Sequence, residues 1–171
     1  MKLKLVVLVV LFFGIGIYTF FQMTEPTVEA AVSKTIIESE YERSNDSFEL
    51  VEVPDSNYYL AIYNEPNQIL VLESKDLWGR YNTSVDSGMN LYAHTRKGSD
   101  HFMNDKLKYG TVEIPEGKTA FIEGKPVSIL GLGRYFSETK FYADYKDLYF
   151  YHLETPKKIK AGAFDTIVEV Q

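Results

Sequence analysis

Leu5 to Phe21 is an unbroken run of 17 residues with no charge and no proline. At about 1.5 Å of rise per helical residue, it covers most of a ~30 Å hydrocarbon core. Lys2 and Lys4 precede it, so the positive-inside rule places the N-terminus in the cytoplasm and everything after Met23 outside. Phe12, Phe13, Tyr18, Phe20 and Phe21 lean toward the outer end, where aromatic side chains suit the interface. The run therefore divides the chain. Residues 1–23 read as a transmembrane anchor or signal segment, 24–34 as a linker, and 35–171 as an extracytoplasmic β-rich domain. A second reading is export with cleavage. Val28-Glu29-Ala30 sets small residues three and one before a cut at Ala31, and Pro26 breaks a helix just upstream. That reading gives a secreted protein processed near Ala30. No second long apolar run follows, so the expected topology is single-pass.

The chain has no cysteine. This excludes a lipid anchor on cysteine, thiol catalysis and zinc–thiolate sites, and leaves the exported part to hold itself by packing alone. Apart from Lys2 and Lys4 the chain carries 16 basic and 24 acidic side chains, a net charge of −8. That balance argues against nucleic acid as a partner. Roughly 150 exported residues amount to one domain, long enough to bury a sizeable core.

From Phe48 onward, β-branched and aromatic runs alternate with turn residues. Strands are expected at 48–53, 58–63, 69–73 and 89–96. Leu107–Ile114, Lys118–Glu123 and Pro126–Leu132 read as a three-stranded meander around Pro115-Glu116-Gly117 and Gly124-Lys125. Further strands are expected at 148–153 and 164–170. Thr35-Ile36-Ile37-Glu38 has capping-box spacing, so one short helix through about Arg43 fits there. The fold class expected is mainly β: an N-terminal transmembrane helix, then a small antiparallel sandwich or barrel-like domain. Residues 74–88 and 97–106 look irregular and are the expected functional loops.

Two motifs imitate nucleotide sites and fail. Gly117-Lys118-Thr119 ends like a phosphate-binding loop, but Val112 stands where the first glycine belongs. Gly131-Leu132-Gly133 begins a dinucleotide fingerprint whose third glycine is Phe136, so these glycines read as a bulge or tight bend.

The densest polar cluster is His94 to Asp105. His94, Asp100, His101 and Asp105 form the candidate metal set, since imidazole with carboxylate suits zinc or manganese. Ser99 with a neighbouring histidine is the nucleophilic alternative. Neither has a diagnostic spacing, so no catalytic residue, metal or other cofactor is assigned.

Twelve tyrosines, seven phenylalanines and the lone Trp78 follow Met23. Such side chains dominate protein interfaces and stack on sugar rings. Trp78, Arg80 and Tyr81 make one candidate binding group, and Tyr92, His94 and Arg96 on one strand face make another. His152 shares a face with Leu148 and Phe150 and reads as a core histidine with one hydrogen-bond partner.

This plan is similar in architecture to that of many accessory proteins of Gram-positive cell envelopes. The expected function is a membrane-tethered, non-enzymatic binding or accessory protein, held in the membrane by residues 5–21 and contacting an envelope protein or a cell-wall ligand. The alternatives are a metal-dependent or hydrolytic surface enzyme using the His94–Asp105 loop, and a glycan-binding module.

Overall fold

A strand that is apolar on both faces lies at the centre of the fold. The computed structural model describes residues 2–39, 48–63, 68–91, 101–103, 107–122, 124–138, 142–154, 162–163 and 169–171. In strand β3 (Gln68–Asp76), Ile69 and Val71 point one way and Leu70 and Leu72 the other, and all four are buried. A strand with two apolar faces needs cover on both. β3 pairs antiparallel with β2 (Tyr58–Tyr63) and with β4 (Tyr81–Asn90), and β1 (Phe48–Glu52) completes a four-stranded sheet in the order β1-β2-β3-β4.

One face of this sheet is covered by helix α2 (Val28–Glu38). Its Val32 and Ile36 pack on Ala61, Tyr63, Leu70 and Leu72. The other face shares the largest core with a second sheet. That sheet has the order β11-β5-β6-β10-β9, from β5 (His101–Met103), β6 (Leu107–Glu113), β9 (Ser128–Gly131), β10 (Leu148–Glu154) and β11 (Gly162–Ala163). Val51, Leu60, Ile62, Ile69 and Met89 from the first sheet meet Leu107, Tyr109, Leu148 and Phe150 from the second. Behind it lies a small third sheet, β12-β7-β8, from β7 (Ala120–Ile122), β8 (Lys125–Pro126) and β12 (Glu169–Val170). Ala120 and Ile122 cover Val112 and Tyr151 there. The chain is thus mainly β, in antiparallel sheets, with two helices longer than a single turn among the described residues.

Several expectations change. Residues 74–88 do not form one irregular loop: they are the end of β3, a tight turn over 77–80 and most of β4. The strand expected at 89–96 ends at Asn90 within β4, and residues 92–96 lie outside the described residues. The meander over 107–132 also dissolves. β6 gives its two edges to β5 and β10, β7 pairs with β8 and β12, and β9 joins β10. Residues 24–34, read as a linker, contain most of the first two turns of α2. Thr27 caps that helix by accepting from the Ala30 amide at 3.2 Å, so it starts well before Thr35.

Helix α1 (Lys2–Met23) precedes α2. Its side chains are described from Val7, and among the described residues no helix is long and apolar enough to cross a membrane. From Val7 to Tyr18 its apolar side chains are exposed, Phe12 as much as 71 %.

Gly133 opens a 3-10 turn (Gly133–Phe136), and a Cβ added there would stand 2.6 Å from the Lys146 carbonyl oxygen and 2.8 Å from its Cα. Backbone cannot yield as a flexible side chain can. Gly133→Ala is therefore expected to destabilise the domain by about 1–3 kcal/mol, read as a lower urea midpoint.

Candidate functional site

The residues that sequence reasoning singled out around Trp78 converge on the end of α1. α1 leaves its last carbonyls without partners inside the helix. Thr24 Oγ donates to the Phe20 carbonyl at 2.7 Å. The Lys34 ammonium, from α2, donates to the Gln22 carbonyl and pairs with Glu25 at 2.9 Å. Asn82 Nδ2 donates to the Met23 carbonyl at 2.7 Å. Arg80 donates from Nε to Thr24 Oγ at 2.8 Å and from Nη2 to the Thr24 carbonyl at 2.7 Å, and its guanidinium lies 4.6 Å from the centre of the Phe21 ring. Two cations thus sit at the negative end of the helix dipole. Glu25 and Tyr81 exchange both backbone bonds at 2.8 Å, so a single antiparallel bridge ties the chain leaving α1 to the start of β4. Helix and sheet are fastened together through side chains on β4 and α2.

The turn joining β3 to β4 projects from this junction. Leu77 N–H donates to the Arg80 carbonyl, and the two residues between them both have positive φ, Trp78 at 60° and Gly79 at 77°. This is the geometry of a type I′ hairpin, which favours Asn-Gly. Asp76 Oδ1 accepts from the Gly79 amide at 2.7 Å. Trp78 is 93 % exposed, with its ring centre 5.9 Å from that of Phe20.

Of the sequence-predicted groups, Trp78, Arg80 and Tyr81 come together here. Trp78 presents its ring outward, while Arg80 and Tyr81 are engaged within the chain. Thr24, Lys34 and Asn82 were missed. Lys34 and Asn82 line a cleft of about 210 Å³ with Gln22, Glu25, Thr35 and Tyr81 among its other walls. Tyr92, His94, Arg96, Asp100 and Asp105 lie outside the described residues, and of His101 only the backbone, in β5, is described. Among the described residues no three His, Asp or Glu side chains gather as a metal-binding group.

A second concavity, of about 310 Å³, is lined by Asp55, Pro126, Ser128, His152, Leu153 and Glu154. His152 is 4 % exposed and stacks on Phe150 with ring centres 6.5 Å apart. The hydrogen-bond partner expected for it is not found: neither ring nitrogen has one among the described residues. Burial pushes its pKa down, and the opposing pull of Glu154 and Asp55 is smaller. The imidazole is thus neutral in the folded protein at a pH where the unfolded chain binds a proton. Stability contributed this way is present above the unfolded value of about 6.5 and declines as pH falls below it. Wild type should therefore lose more Tm between pH 7.5 and 5 than His152→Phe, as a paired thermal-melt series would show.

A partly buried polar contact ties the two large sheets. The β3–β4 register shifts between Val71 and Leu72, leaving Asp86 as the extra residue of a bulge. The Tyr109 hydroxyl, from β6, donates to the Asp86 carboxylate and lies 2.8 Å from Ser87 Oγ. Burial first, and then Asp86, pushes the Tyr109 hydroxyl well above the usual range, so it remains a donor at any physiological pH.

Comparison with protein-family models, with curated proteins and with solved structures finds no match to this chain.

Proposed function

We propose that this chain is a membrane-tethered, extracytoplasmic binding or accessory protein of the cell envelope, with no catalytic activity of its own. The observation that carries the reading is α1. Its apolar side chains are exposed through Tyr18, and its last turn is clasped by Arg80, Lys34 and Asn82. An exposed apolar surface of that extent marks an interaction site. The backbone helix continues to Lys2, and Leu3, Leu5 and Val6 extend its apolar sequence. Counted from Lys2, before the residues whose side chains are described, its 22 residues give about 33 Å, so the span proposed across a ~30 Å core draws its first turn from the sequence of residues 2–6. With Lys2 and Lys4 inside, the β domain, its two larger sheets packed as a sandwich, stands outside.

The junction favours a retained anchor over a cleaved signal. A cut before Ala31 would remove the Thr27 cap, Val28 and the Glu25–Tyr81 bridge, all of which belong to the packed structure.

The test is in-cell cross-linking of the tagged full-length chain, with alkaline carbonate extraction of the same membranes. Retention in the membrane pellet together with one reproducible envelope partner is the expected outcome. A chain released by carbonate would overturn the tether. Recovery of the chain alone from the pellet would overturn the protein-partner part and turn the search to cell-wall glycans.

A further inference from the structure

We infer that the tip of the β3–β4 hairpin, Leu77-Trp78, is a second membrane contact, bedded in the outer interface of the bilayer beside α1 and setting how the domain sits on the surface. The inference rests on the reading that α1 lies in the bilayer.

The first argument is conformational. Both central residues of this turn require positive φ. Gly79 adopts it freely, but a bulky side chain does so only at a cost, and Asn or Asp is the residue that suits the position. A tryptophan placed there, with 93 % of its surface free, gains little from the domain that would offset that cost. Leu77 beside it is 40 % exposed. Backbone strain of this kind persists where the side chain serves a purpose outside the fold.

The second argument is depth. Arg80 holds the base of the hairpin to Thr24 and Phe21, and Trp78 reaches back along the helix to Phe20. Phe20 lies three residues before Met23, the last residue of α1, or about 4.5 Å along the axis. If α1 spans from Lys4 to about Thr24, Phe20 lies about 6 Å inside the outer end of the span, in the last turn before the interface. Indole rings concentrate in this zone, because the ring is apolar while its N–H prefers hydrated neighbours. The hairpin cannot leave that depth without breaking the Arg80 contacts. The Phe20 ring meets those of Phe21 and Trp78, Leu77 stands beside Trp78 in the turn, and the occupant of this apolar edge is lipid.

Trp78 is the only tryptophan in the chain, so its fluorescence reports this site alone. The full-length chain would be reconstituted into phosphatidylcholine vesicles carrying lipids brominated either near the headgroup or near the acyl-chain ends. The expected result has three parts: blue-shifted emission, stronger quenching by the shallow bromines than by the deep ones, and protection from aqueous iodide. Solvent-like emission open to iodide and silent to both bromolipids, in a chain that resists carbonate extraction, would overturn the inference and leave the tether standing. The hairpin would then face a protein or wall partner. Stronger quenching by the deep bromines would overturn the interfacial placement. Release of the chain by carbonate would overturn both readings together.

Discussion

Phe150→Ala is expected to destabilise the β domain by about 4 kcal/mol, the largest single-residue stability effect foreseen for this chain. Phe150 is fully buried in the middle of β10 and belongs to the core that both large sheets share. Its backbone partners are Thr111 on β6 and Leu130 on β9, and its ring centre lies 6.0 Å from that of Tyr109. Truncation removes the ring's burial and leaves a void between two sheets whose pairing prevents them from closing on it. For a domain of this size each kcal/mol is worth about 2–4 °C, so Tm should fall by about 8–16 °C. Chemical denaturation should show a lower midpoint with an unchanged slope, because the folded and unfolded surfaces hardly differ. Ile129→Thr on β9 is the control. Its side chain is 41 % exposed, and the change should stay within about 0.5 kcal/mol. Equal effects from the two substitutions would mean that the sheets do not pack through Phe150.

The elements legible in the sequence were those whose signal is local. Tyr58–Tyr63 and Leu148–Leu153 read as strands because a buried strand needs an apolar run, and both are strands. β4 was missed for the opposite reason. Its Asn82, Thr83, Ser84, Asp86 and Ser87 are polar, because it is the edge strand of its sheet and only partly buried. The turn before it carries Trp-Gly where a hairpin reader looks for Asn-Gly, so nothing announced the hairpin. The meander failed on a different point. Pro115-Glu116-Gly117 is a real turn, with Lys118 N–H donating to the Pro115 carbonyl at 3.1 Å and Gly117 at φ 79°. A turn fixes chain reversal but not which strand becomes the neighbour, and β6 found better partners in β5 and β10. The junction divides along the same line. Trp78, Arg80 and Tyr81 stood out by residue type. Thr24 could not, because its bond to Arg80 spans 56 residues.

Phe12→Lys combined with Ile15→Lys is expected to abolish carbonate-resistant membrane association while leaving the β domain folded. Both side chains lie near the middle of α1, are exposed, and sit well before Phe20, where contact with the hairpin begins. A lysine at the centre of a spanning helix costs about 2.5–3.5 kcal/mol, so the pair costs about 5–7 kcal/mol. At 1.4 kcal/mol per tenfold, that lowers partition into the bilayer by about 4,000- to 100,000-fold. Nothing comparable opposes it in the domain. The clasp made by Arg80, Lys34 and Asn82 reaches no residue before Phe21, and the three core clusters do not include residues 7–23. Circular dichroism and thermal melting of the detergent-solubilised double variant should therefore match wild type. Ile37→Lys is the matched control, because Ile37 is also exposed (60 %) and apolar but lies on α2, beyond the proposed span. It should remain in the membrane pellet. A double variant that stayed there too would place the attachment elsewhere than α1. Such a result would also remove the depth argument for Trp78, since that argument takes its level from the helix.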